Sequence, residues 1–83
     1  MSMIFFTFRA QIGARQAVNL LQKSRISARL GKTPSQIAVN GCGFGVWVPE
    51  LQSTWAAEKM KDAEIKYEKS YRMDGGMPQE VWL

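Results

Sequence analysis

Two stretches of the chain, about 39 residues apart, carry the same order of apolar and polar positions, and that recurrence limits the possible folds most. The first copy opens with Ile4-Phe5-Phe6-Thr7-Phe8-Arg9, aromatic and β-branched, which reads as a strand. Ala14, Ala17, Val18 and Leu21 then recur at i, i+3, i+4, i+7, one face of a helix from about Gly13 to Ser24. No Ser, Thr, Asp or Asn caps it, so its start is open by a turn. Ala28 to Thr33 is a weaker strand ended by Pro34, and residues 34–42 form a loop with one helical turn at Pro34-Ser35-Gln36-Ile37. In the second copy Phe44–Val48 is a strand closed by Pro49. A helix follows from Pro49 to about Glu64, with Ser53, Ala56, Ala57, Met60 and Ala63 inward and Leu51 and Trp55 over the edge of the core. Lys66 to Met73 is the last strand, alternating Tyr67, Lys69, Tyr71 and Met73 with Glu68, Ser70 and Arg72. The shift lays Ile4–Arg9 on Gly43–Val48, the four helix positions on Ser53, Ala56, Ala57 and Met60, and Ile26 on Ile65. Identity is almost nil; what repeats is burial.

Two such units interleave as an α+β fold of the ferredoxin-like βαββαβ type, a four-stranded antiparallel sheet with two helices on one face. A chain of 83 residues makes one domain, placed at residues 1–73, with the Gly- and Pro-containing residues 74–83 as a C-terminal tail. The second sheet face has no helix to cover it. Its alternate residues leave Phe5 and Phe44, or Phe6 and Trp47, outside, and such a face expects a partner, a homodimer or a ligand. The end of the tail, Val81-Trp82-Leu83, is an alternative cover.

The missing residue types exclude most chemistry. There is no histidine, so no Cys-His or Ser-His pair forms within the chain. One cysteine makes neither an internal disulfide nor a structural zinc cage, so no metal site is expected. Neither a GxxxxGK[ST] nor a GxGxxG loop is present, and no cofactor is implied. The reading is a protein without complete catalytic machinery. The uncharged stretch Ile37 to Pro49 is far short of a membrane span and is broken by glycines. Nothing at the N-terminus marks secretion, so the expected location is the cytoplasm.

Charge divides unevenly along the chain. Residues 1–49 hold Arg9, Arg15, Lys23, Arg25, Arg29 and Lys32 and no acid. All seven acids follow, mixed with five bases, and the halves carry +6 and −2. A basic half suits an acidic protein surface, an anion or nucleic acid. Interleaving of the charges in the fold is the plainer reading.

Asn40-Gly41-Cys42-Gly43-Phe44-Gly45 is the most informative stretch. Gly41 and Gly43 remove neighbouring side chains and permit positive φ around the thiol. A thiolate reachable by another protein takes sulfur from a donor as a persulfide and passes it on. Lys32, Arg29 and Arg9 are candidates to lower its pKa. The competing reading is a buried cysteine filling space beside a β-bulge.

With these residues in view the chain resembles the selenium/sulfur carrier-like family, small bacterial domains sometimes found beside sulfur-relay proteins. The resemblance runs from about Ile4 to Met73. It rests on Phe6-Thr7-Phe8-Arg9, on Gln16-Ala17-Val18-Asn19-Leu20-Leu21, on Ile26–Pro34, and on Cys42-Gly43 entering a strand. Ala63-Glu64-Ile65 ahead of a Tyr-containing strand completes it. Only Cys42-Gly43 is specific. The chain departs at Trp47 and in its longer Gly-rich tail. The resemblance implies Cys42 as sulfur or selenium acceptor, and a protein partner: a cysteine desulfurase-type donor or a sulfur recipient.

A binding module is the rival. Gly43-Phe44-Gly45-Val46-Trp47-Val48 looks like the third-strand motif of RNA-recognition domains, with Cys42 in the basic position and Val46 in an aromatic one. Only Phe44 then remains to stack a base from that strand. Phe5 or Phe6 would stack from the first strand, which lacks the usual companion motif.

Overall fold

The alternating aromatic run at the start of the chain becomes the centre of the molecule. In the computed structural model, which describes residues 2–37 and 43–83, β1 (Met3–Phe8) lies between β3 (Phe44–Pro49) and β4 (Lys69–Met73). β2 (Arg29–Lys32) pairs with β3, and β5 (Gln79–Val81) pairs with β4. All pairings are antiparallel, in the order β2-β3-β1-β4-β5. The sheet therefore has five strands rather than the expected four, and its order differs by the strand added beyond β4. That strand comes from residues read as a tail. Val81 packs on the core, and its carbonyl accepts a 2.7 Å hydrogen bond from the Ser70 hydroxyl.

Helices α1 (Gln11–Lys23) and α2 (Glu50–Asp62) follow β1 and β3 and pack on each other and on the sheet. Small residues allow this closeness. Ala14, Ala17 and Leu21 of α1, and Ser53, Ala56 and Met60 of α2, are buried. Against them lie Ile4, Phe6 and Phe8 of β1 and Val46 and Val48 of β3, each contributing on the order of 1.5–3 kcal/mol by leaving water. The Ser53 hydroxyl donates to the Glu50 carbonyl at 2.7 Å, which satisfies the one polar group on α2's buried side. Leu51, expected to cover the edge of the core, is 90% exposed: it falls on the solvent side of α2, opposite the Ser53–Ala56–Met60 stripe. Ala63, expected inward, is also exposed because the helix ends at Asp62.

The two copies are closest in how their helices end. Arg25 and Glu64 hold left-handed φ of 64° and 59°. The amides of the next residues, Ile26 and Ile65, reach back to the carbonyls of Leu21 at 2.9 Å and Met60 at 2.8 Å. Both isoleucines thereby turn into the core side, a helix-terminating loop made twice with different residues.

The helices repeat at a spacing of 39, but the strands do not. The core-facing residues Ile4, Phe6 and Phe8 correspond to Phe44, Val46 and Val48, a shift of 40. The difference sits in the link to the helix: Arg9 and Ala10 separate β1 from α1, whereas α2 follows β3 directly. A one-residue offset exchanges the two faces of a strand. Phe5 and Phe44 accordingly lie on opposite faces, Phe5 paired with Trp47 and Phe44 paired with Phe8. Tyr67 departs in the same way. It stacks on Phe6 of the core face (centroids 4.7 Å apart, 14° between planes), while Tyr71 stands across from Phe5 on the other face. The alternation expected from Lys66 onward starts only at Lys69, after the Glu68 amide has bonded the Thr7 carbonyl at 2.8 Å.

Candidate functional site

The β2–β3 connection is the place where the cysteine enters the fold. Cys42 and Gly41 lie outside the described residues, and the structure supplies the frame on both sides of them. Pro34–Ile37 form a turn closed by the Ile37 amide on the Pro34 carbonyl at 3.0 Å. On the far side, the Gly43 carbonyl accepts from the Thr33 amide at 3.0 Å, extending the β2–β3 ladder by one pair beyond Lys32 and Phe44.

Gly43 has φ +138°, a conformation that L side chains rarely adopt. A Cβ there would also stand 3.2 Å from the Thr33 hydroxyl. The residue after the thiol is thus held in a backbone shape that favours glycine on conformational and steric grounds. Among the bases considered beside the thiol, Lys32 is opposite Phe44 at this end of the sheet. Arg29 lies three residues back along β2, on the order of 10 Å away. Arg9 is engaged by Glu68 at 3.4 Å in an exposed ion pair.

The helix-free face is organised by a row the sequence reading missed. Strand registers align Arg29, Trp47, Phe5, Tyr71 and Glu80 across β2, β3, β1, β4 and β5 in turn. Phe5 is fully buried although no helix covers it. The Trp47 ring meets it edge-on, with centroids 4.8 Å apart at 60°. Two glycines make room for these rings. A Cβ on Gly45 would collide with the Phe5 ring and the Phe6 carbonyl, and one on Gly31 with the Trp47 indole. Each aromatic ring covers the backbone of a glycine on the adjacent strand. Alternation had marked these residues as exposed or buried, but only the strand register could assemble the row.

This corrects the nucleic-acid reading of β3. Phe44, the one residue left to stack a base, packs against the helix-covered core, and Val46 is buried in it. The expected pair of open-face residues is likewise separated: Phe5 is on the helix-free face and covered, Phe44 on the other.

An open groove of about 850 Å³ lies between the C-terminal half of α2, residues 64–67 and Leu83. Among the described residues it shares no lining residue with the β2–β3 connection. Burial raises the Tyr67 hydroxyl's pKa above its usual 10.0. Among the described residues no three His, Cys, Asp or Glu side chains gather as a metal site, and no helix is long and apolar enough to cross a membrane.

Residues 3–72 match the family described as "Putative Se/S carrier protein-like". No curated protein and no solved structure matches the chain. The match takes in both strand–helix–strand units and the Cys42-Gly43 pair between them. The chain belongs to the Se/S carrier protein-like family.

Proposed function

We propose that this protein is a carrier without catalytic machinery of its own, holding one sulfur or selenium atom on Cys42. The observation that carries this reading is the family match across the chain's single cysteine. The glycine geometry at Gly43 supports it, because Gly41 and Gly43 leave the thiol without bulky neighbours in sequence. We read the fold as a ferredoxin-like core extended by β5, and the protein as cytoplasmic.

Loading balances without an external oxidant. The Cys42 thiolate attacks the terminal sulfur of a persulfide on a desulfurase-type donor. A new S–S bond forms on Cys42 as the donor's S–S bond breaks, and the donor leaves as a thiolate. Selenium moves in the same way from a selenopersulfide. Unloading repeats the exchange toward a recipient nucleophile, so this chain needs two protein surfaces in succession and no cofactor.

The test is alkylation of Cys42 in the folded protein as a function of pH, followed by incubation with a protein persulfide donor. Fast alkylation with a midpoint below the free-thiol value of about 8.5 is expected. So is a mass gain of one sulfur atom, removed by a phosphine reductant and absent in Cys42→Ser. A thiol that reacts only after denaturation overturns the carrier reading.

A further inference from the structure

We propose that the helix-free sheet face is the contact surface of a weak homodimer, with a two-fold axis running along β1. The argument rests on the row Arg29–Trp47–Phe5–Tyr71–Glu80, which crosses all five strands with a cation at one end and an anion at the other. Arg29 and Glu80 are exposed, and neither is in an ion pair among the described residues. A second copy can meet this face in two simple ways. An axis along the row places Arg29 on Arg29 and Glu80 on Glu80, which repel. An axis along β1 exchanges the ends, placing Arg29 of each copy over Glu80 of the other and Trp47 over Tyr71.

The remaining positions fit that second arrangement. Along β1, Met3 meets Met3 and Thr7 meets Thr7. Pro49 and Met73 flank Met3 in register and exchange places. Lys69, in register with Thr7, comes over Gly45, so its long stem lies across the Phe5 ring that covers that glycine. Packed sheets stand about 10 Å apart with axes turned by about 30°, and Arg and Glu side chains are long enough to follow that turn. Among the described residues, the charges on the aligned face are Arg29, Lys69 and Glu80, a net of only +1 that suits a copy of itself better than a phosphate chain.

Size sets the strength. Five strands about 4.8 Å apart and about five residues long make a face of roughly 400 Å² in projection. That is well below the ~800 Å² per partner of a stable complex, so the dimer is concentration-dependent. Phe5 is already covered within one chain, so the monomer stays soluble when diluted.

Sedimentation equilibrium under a phosphine reductant, from about 10 μM to about 1 mM, reads the association directly. Arg29→Glu alone and Glu80→Arg alone should each weaken it by roughly tenfold or more, since each change breaks two symmetry-related contacts. The double exchange, Arg29→Glu with Glu80→Arg, should restore it to within about threefold of the parent. Both positions are exposed, so the variants should fold, as circular dichroism would verify. A parent that stays monomeric throughout overturns the proposal, as does an unaffected dimer in the single variants or a double variant that fails to recover. Amide shifts at Arg29, Trp47 and Tyr71 on adding an oligouridylate, with none on raising the protein concentration, would give the face to a nucleic acid instead.

Discussion

Trp47 lies across Gly31, its indole Nε1 only 2.6 Å from where a Cβ on that glycine would stand. The contact links an edge strand to its neighbour through a side chain rather than through the ladder. Gly31→Ala should therefore destabilise the protein by about 1–3 kcal/mol in urea. In the Trp47→Ala background the same change should cost much less. A double-mutant cycle in which the two costs simply add would show that the ring does not rest on this glycine.

Gly43 combines φ +138° with a close Thr33 hydroxyl. Gly43→Ala should cost about 1–3 kcal/mol, and Thr33→Ser, which keeps the hydroxyl, should not relieve it. The variant should also alter the alkylation rate of the adjacent Cys42 while the fold stays intact. Equal rates in parent and variant would mean that this backbone shape does not govern the thiol's access.

Tyr67 predicts an alkaline limit. Its folded pKa is raised by burial, so above about pH 10 the unfolded chain loses this proton first. The unfolded state then binds fewer protons, and stability falls as pH rises through that range; below it Tyr67 contributes no slope. Tyr67→Phe retains a ring for the Phe6 stack and should flatten the decline above about pH 10. Thermal melts of the two proteins that fall in parallel over that range would remove Tyr67 as the cause.

Helix α2 offers a contrast between two large residues. Met60 is 1% exposed and Leu51 is 90% exposed. Met60→Ala should cost about 2–5 kcal/mol, whereas Leu51→Lys should stay within about 0.5 kcal/mol of the parent. A large loss at Leu51 would place that side chain under a cover the fold does not provide.

Much of the architecture was legible because periodicity is a local signal. The stripe Ala14–Ala17–Leu21 and its counterpart Ser53–Ala56–Met60 located both helices to within a turn or so. The paired isoleucines after each helix matched as well. What local pattern does not carry is strand parity across a link. One residue fewer before α2 set Phe5 against Gly45 rather than Phe44, and with it every assignment of the uncovered face. β5 escaped notice because three residues, Gln79–Val81, show no alternation of their own and pair only because β4 offers an edge. At the candidate site, the glycines around Cys42 stood out as composition; Gly43 holds a positive φ, and Gly41 and Cys42 lie outside the described residues. Which base stands near the end of the β2–β3 ladder was not legible, since Lys32, Arg29 and Arg9 differ by strand register and by the Glu68 pairing rather than by sequence.

The place of β1 bears on how the chain is made. It is the first strand of this sequence to leave the ribosome and the middle strand of the finished sheet. At about 5–20 residues per second, its last neighbour β4 is completed roughly 3–13 s later. Until β3 emerges about midway through that interval, Ile4, Phe5, Phe6 and Phe8 have no strand beside them, and one edge of β1 stays open until β4 follows. The sheet around β1 is therefore completed only by a late, long-range pairing, and the nascent chain's need for protection falls on its first strand.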